Sequence, residues 1–76
     1  MSAPYEAVRA RDRAFVLGAA NERLWQRLCA VLQRPDLADD PRFALNAARM
    51  KNRAALIAEI ESTLAAADAD TWVERL

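Results

Sequence analysis

Four basic side chains, Arg42, Arg49, Lys51 and Arg53, crowd the stretch DDPRFALNAARMKNRAAL at residues 39–56. Cations at this density grip phosphate or nucleic acid when a glycine-rich loop or a ladder of stacking aromatics completes the site. Neither is present, and Asp36, Asp39 and Asp40 lie beside the cluster and offset it, so a charged, solvated helix end is the simpler reading. Cys29 is the single thiol, and with no histidine in the chain it has no imidazole to generate the thiolate. Its place beside Trp25 predicts a buried core cysteine. Zinc prefers Cys and His ligands, which number one between them, and the three acids lack the spacing and turn glycine of a calcium loop. Glu59 and Glu61 stand about 200° apart around a helix and cannot form a close carboxylate dyad on it. No nucleophile, base and oxyanion donor come together, and no catalytic, cofactor or metal residue is assigned.

The elements that position these groups follow from a chain of 76 residues with one Gly, three Pro and 54% hydrophobic residues. A domain of this size buries only about 60% of the surface its unfolded chain exposes, so its stability margin is thin. The composition excludes a disordered chain and favours helices. Eleven basic and eleven acidic residues cancel, which leaves no overall field to steer polyanions or anionic membranes. The absence of a signal-like N-terminus and of an apolar run near the ~18 residues of a membrane span points to a cytoplasmic chain, and a lone cysteine suits a reducing compartment.

The predicted fold class is mainly α: a small helical domain of three to four helices with a short N-terminal β-hairpin, in one domain over residues 1–76. Residues 5–20 read as the hairpin, broken at Arg11, Asp12 and Arg13, with an apolar run AFVLGAA after the break. Residues 21–33 read as an amphipathic helix capped by Asn21, with Leu24, Trp25, Leu28, Cys29 and Leu32 on its apolar face. PDLADDPRF, residues 35–43 with prolines at 35 and 41, reads as a connector of one or two helical turns, in which Leu37 and Phe43 anchor to the core. A long helix over 47–67 buries Leu56, Ile57, Ile60 and Leu64, each contributing about 1.5–3 kcal/mol when fully buried, and Asn52 is a candidate N-cap. Asp68 caps a last helix over 69–76, whose Trp72, Val73 and Leu76 form an apolar face that looks unfinished, as if the chain were part of something longer. The predicted core is Tyr5, Leu24, Trp25, Leu28, Cys29, Phe43, Leu56, Ile60, Leu64 and Trp72.

The order of residues is more specific than their composition. The strings APYEAVRARD, NERLWQRLC, RPDLADDPRF, NAARMKNRAAL and TWVERL follow one another along the chain. Together they resemble the small-domain segment of the family III CoA-transferases, the CaiB/BaiF class that also includes acyl-CoA racemases. The matching positions are Pro4 and Tyr5; Asn21, Leu24, Trp25, Leu28 and Cys29; Arg34 to Leu37; Asp40 to Phe43; Arg49, Asn52 and Arg53; and Trp72. The likeness covers essentially the whole chain. Two positions depart from the family pattern: Arg13 stands where a hairpin-turn glycine is usual, and Gln33 where a glycine commonly ends the helix.

The resemblance implies a parent enzyme of acyl-CoA metabolism that transfers CoA from an acyl-CoA donor to a carboxylic acid through aspartyl anhydride and thioester intermediates, or, in the racemase branch, inverts the carbon next to a thioester. It implies that the catalytic aspartate and most of the CoA site lie in a large domain absent from these residues, so this segment is inactive alone and binds no cofactor of its own. A CoA thioester is then the parent's substrate, and the partners are the large domain and the second subunit of an interlocked dimer. Two further readings stay open at this stage. One is a freestanding helical interaction module that self-associates through Trp72, Val73 and Leu76; the other is a helix-turn-helix nucleic-acid binder, which zero net charge disfavours.

Overall fold

The computed structural model describes residues 5–19 and 21–76. Pro4 and the expected end of the hairpin at Ala20 lie outside the described residues. Strands β1 (Tyr5–Arg9) and β2 (Ala14–Gly18) form an antiparallel hairpin that sets Tyr5 opposite Gly18, Ala7 opposite Val16 and Arg9 opposite Ala14. The alternation of strand side chains turns Val8 and Leu17 into the core and leaves Tyr5, Ala7, Arg9, Ala14, Val16 and Gly18 on the outer face. Tyr5, expected in the core, is therefore exposed at 69%. Its ring covers Gly18 instead: a Cβ on that glycine would stand 2.9 Å from Tyr5 Cδ2.

Beyond the last strand pair the Ala10 N–H donates to the Arg13 carbonyl at 2.9 Å, which continues the register and leaves Arg11 and Asp12 at the tip. Among the described residues Gln33 is the one non-glycine residue at positive φ, so the tip residues do not adopt the left-handed conformation of a type I′ turn. Arg13 is consequently unstrained where the resemblance places a glycine, since it does not take a positive φ.

Helix α1 (Glu22–Val31) starts where the Asn21 side chain accepts the Leu24 amide at 2.9 Å. Trp25, Leu28, Cys29 and Leu32 are buried. They recur at i, i+3, i+4 and i+7, a face whose centre lies about 90° from Leu24. Leu24, predicted as core, sits on the flank of that face and is 41% exposed. The helix closes with a Schellman motif: the Gln33 amide donates to the Ala30 carbonyl at 3.1 Å and the Arg34 amide to the Cys29 carbonyl at 2.9 Å. Gln33 takes the left-handed position with φ 57°.

One turn of helix, α2 (Pro35–Asp39), places its proline in the first turn, where the missing N–H is an orphan anyway, and buries Leu37. The long helix expected over 47–67 is divided into α3 (Asn46–Lys51) and α4 (Arg53–Leu64). Asn52, at φ −106° and ψ 30°, marks the break and makes no side-chain cap. Its amide group donates instead to the carbonyls of Ala48 at 3.0 Å and Arg42 at 3.2 Å, tying the connector to the end of α3. The division at Asn52 and the turn α2 bring the described helices to five. Helix α4 ends at Leu64, whose carbonyl accepts the Trp72 indole N–H at 2.9 Å and the Ala67 amide at 3.3 Å. Helix α5 (Ala69–Arg75) opens on Asp68, whose carboxylate accepts the Thr71 amide at 2.9 Å.

The core runs from Val8 and Leu17 through Trp25, Leu28, Cys29, Leu37 and Phe43 to Leu56, Ile60, Leu64 and Trp72, with α4 packed against β1. Ile57 is only partly buried. The hairpin turn docks on the start of α5: the Arg11 amide donates to Ala67 O at 3.0 Å, and the Asp12 carboxylate accepts the Ala69 amide at 2.8 Å. That hydrogen bond holds the Asp12 carboxyl below its ordinary value. An Arg13–Asp70 ion pair lies beside it.

A non-glycine residue held left-handed costs about 1–2 kcal/mol, of which glycine's extra freedom in the unfolded chain returns about 0.5–1. Gln33→Gly should accordingly stabilise the chain by about 0.5–1 kcal/mol. In thermal denaturation the midpoint should rise by roughly 2–8 °C for a domain of this size.

Candidate functional site

The basic stretch does not form an open anion grip. Arg49, expected as part of a solvated helix end, has no exposed surface and is the buried charged residue of the core. Helix α3 points it inward, where its guanidinium donates to the Phe43 carbonyl at 2.9 Å and to both carboxylate oxygens of Glu22 at 2.7 and 3.3 Å. Its charge also stacks over the Trp25 ring, 5.0 Å from the centroid. The Arg49 hydrogen bonds are the main reason the Glu22 carboxyl titrates below its ordinary value of 4.5. Glu22 lies in the first turn of α1, where its charge suits the positive helix end, and sequence reasoning missed its pairing with Arg49. The cue to its second role was an arginine set between alanines and a methionine on an amphipathic segment.

The remaining cations of the stretch are mostly occupied. Arg42 pairs with Asp40 at 2.9 Å and stacks over Phe43. Arg53 pairs with Glu6, joining α4 to β1. Upstream, Arg34 reaches Asp36 at 2.9 Å, Glu59 at 2.8 Å and the Thr63 hydroxyl at 2.8 Å, binding the end of α1 to α4. These hydrogen bonds keep the Arg34 guanidinium charged and hold Asp36 below the usual carboxylate range. Sequence reasoning used Arg34 only as part of a signature.

The acids of α4 diverge as their spacing requires. Glu59 faces Arg34, while Glu61 accepts the backbone amide of Arg9 at 2.8 Å. Cys29 is buried, and burial pushes its thiol up to about 11. Among the described residues no cluster of His, Cys, Asp and Glu could hold a metal ion, and no helix is long and apolar enough to cross a membrane. The described residues form several open clefts, one of them, of about 430 Å³, between Glu6, Arg53, Ala54 and Ile57. Another, of about 490 Å³, lies between Leu32, Gln33, Thr63, Trp72 and Arg75, and a third, of about 350 Å³, between Leu17, Gly18, Leu24, Arg27 and Leu76. None of these linings combines a nucleophile with a base. Trp72, expected on an unfinished outer face, is 4% exposed and belongs to the core; Val73 and Leu76 are the exposed members of that set.

Arg49→Ala would take the guanidinium donors from the Phe43 carbonyl and from Glu22, which keeps only the Asn46 backbone hydrogen bond, and open space against Trp25. The expected loss is about 2–4 kcal/mol in urea denaturation, with Arg49→Lys failing to restore it because a single ammonium cannot reproduce the fork. Since the folded-state Glu22 carboxyl is depressed, its contribution is fully present above pH 4.5 and fades as pH falls below that value, and the arginine variants should lose this part of the acid dependence. The raised Cys29 thiol predicts a second outcome. At pH 8 a disulfide reagent should leave the folded chain unlabelled on a timescale of minutes and modify one thiol per chain in guanidinium chloride.

The sequence profile described as CoA-transferase family III matches residues 1–76. Acetyl-CoA:oxalate CoA-transferase of Acetobacter aceti is 40% identical over 72 residues, a match that takes in 95% of this chain and 18% of that protein. The probable fatty acyl-CoA transferase Rv3272 of Mycobacterium tuberculosis is 42% identical over 73 residues, 96% of this chain and 18% of the relative. A crystal structure of a mutant of Rv3272 superposes on the whole chain with a TM-score of 0.96 at 41% identity, using 21% of its own length. The structure of a CaiB/BaiF family protein from Brucella suis gives 0.92 at 34% identity over 96% of this chain and 19% of its own. The chain thus spans about a fifth of the length of the proteins it matches, with the same hairpin and helices in the same order, and it belongs to CoA-transferase family III.

Proposed function

We propose that these 76 residues are the small domain of a longer family III enzyme that moves CoA from an acyl-CoA donor to a carboxylic acid acceptor. The observation that supports this reading is the match of nearly the whole chain to about a fifth of proteins named as CoA-transferases. In this reading a carboxylate of the large domain attacks the donor thioester carbonyl, CoA leaves as thiolate, and an acyl-aspartyl anhydride forms. The thiolate then attacks the aspartyl carbonyl and releases the donor acid. The acceptor carboxylate displaces CoA to form a second anhydride, and the thiolate recaptures the new acyl group and frees the aspartate.

None of these steps falls to the acids of this chain. Asp12 and Asp68 cap α5, while Glu22, Asp36, Asp40 and Glu59 are held by arginines. The small domain instead packs against the large domain within the cytoplasmic dimer and shapes the entrance for the acyl group. Acetyl-CoA with oxalate, the pair named for the Acetobacter relative, is the first pair to test.

The experiment compares the full-length enzyme with the 76-residue chain, following CoA exchange from acetyl-CoA to a panel of carboxylic acids by chromatography. The full-length enzyme should exchange CoA with at least one acid, and the chain alone should neither exchange it nor bind it in calorimetry. Exchange by the chain alone would overturn the reading. So would a full-length enzyme that washes deuterium into the α-carbon of a branched acyl-CoA and needs no acceptor acid.

A further inference from the structure

The two edges of the hairpin are unlike. The Ala10–Arg13 hydrogen bond and the strand register make Val8 with Phe15 and Glu6 with Leu17 the hydrogen-bonded pairs, so the backbone groups of alternate residues turn outward. On β1 the outward groups are those of Tyr5, Ala7 and Arg9. Helix α4 packs against this side, and Glu61 accepts the Arg9 amide at 2.8 Å. On β2 the outward groups are those of Ala14, Val16 and Gly18, and none of them hydrogen-bonds to another described residue.

Natural edge strands are guarded by lysines, prolines, bulges or a covering element. β2 reads AFVLG, with no charge, no proline and no bulge, and its register is unbroken. The apolar cleft of about 350 Å³ formed by Leu17, Gly18, Leu24, Arg27, Leu28 and Leu76 adjoins its Gly18 end. An added strand would find both main-chain partners on the edge and a pocket for an apolar side chain beside it.

We infer that β2 is an acceptor edge, and that its occupant is an extended, apolar strand from the part of the full-length transferase outside these residues. The inference rests on the small-domain reading above. The length of the relatives favours this occupant over a second copy of the chain: the 76 residues match only 18% of the Acetobacter protein, so most of the polypeptide lies outside them. Leu76 lines the cleft itself, so an extension from it would begin next to this edge.

Amide hydrogen exchange tests it. In the 76-residue chain the Val16 and Gly18 amides should exchange about 100-fold faster than those of Phe15 and Leu17, which face β1. In the full-length enzyme the Ala14–Gly18 segment should gain protection of about 100-fold at Val16 and Gly18. Val16→Pro should leave the isolated chain folded, since the lost N–H faces away from β1, yet abolish that gain; Phe15→Pro should unfold the hairpin in both settings. A full-length enzyme that exchanges CoA but leaves Val16 and Gly18 unprotected overturns the acceptor edge while the proposed function stands. Protection in the isolated chain that rises with its concentration assigns the edge to a second copy and likewise overturns the inference. A full-length protein without CoA exchange overturns the proposed function, whatever the edge does.

Discussion

A guanidinium with no exposed surface is the constraint around which this small fold is arranged. Removing an ion from water costs several kcal/mol even after relaxation, and a domain of this length has a total stability of only about 4–11 kcal/mol. Arg49 is tolerable there because its donors meet the Phe43 carbonyl and both Glu22 oxygens and its charge lies on the Trp25 face. Those acceptors come from the start of α1 and from the connector, while the arginine comes from α3. If the three parts did not meet, the charge would be buried without partners, so their relative placement is specified more sharply than apolar packing would require. Phe43 can then close the core because its own carbonyl is fixed.

The same device recurs wherever the chain changes direction. Arg34 holds the α1–α2 turn to α4, Asn52 ties the connector to α3, Trp72 joins α5 to the last carbonyl of α4, and Asp12 joins the hairpin to the first turn of α5. A core this small leaves turns poorly held by burial alone, and hydrogen bonds to the backbone supply what burial does not. The consequence reaches function. Carboxylates and guanidiniums spent on caps and connectors are not free to attack a thioester or hold a phosphate, which fits a segment that supports an active site assembled elsewhere.

Periodicity and capping chemistry made much of this legible. The Asn21 and Asp68 caps, the burial of Trp25, Leu28 and Cys29, and the stop before Pro35 all follow from local rules that act within a turn or two. What escaped were features decided across the fold. Tyr5 and Leu24 are apolar, yet one lies on the outer face of the hairpin and the other on the flank of α1, and hydrophobicity alone does not say which side of an element is covered. Arg49 looked like a surface charge because its partner Glu22 lies 27 positions away, beyond any local window. The break at Asn52 was hidden because asparagine is common both at caps and in turns, and only the tertiary partner, the Arg42 carbonyl, decides between them.

These contacts also explain what the family signature in this segment records. Arg34, Arg49, Asn52 and Trp72, the positions that carried the resemblance, each reach an acceptor on a different element. The two departures fall at glycine positions, and their effects differ for a geometric reason. At Arg13 the backbone does not take a positive φ, so glycine is dispensable. At Gln33 the Schellman geometry imposes φ 57° on whatever residue is there, and the strain is accepted because the Arg34 amide must reach the Cys29 carbonyl for the Arg34 side chain to reach α4. A signature built from such residues reports that the scaffold is intact. In the proposed reading the chemistry of the reaction belongs to the part of the protein that meets this scaffold, and the edge of β2 is where we infer that meeting.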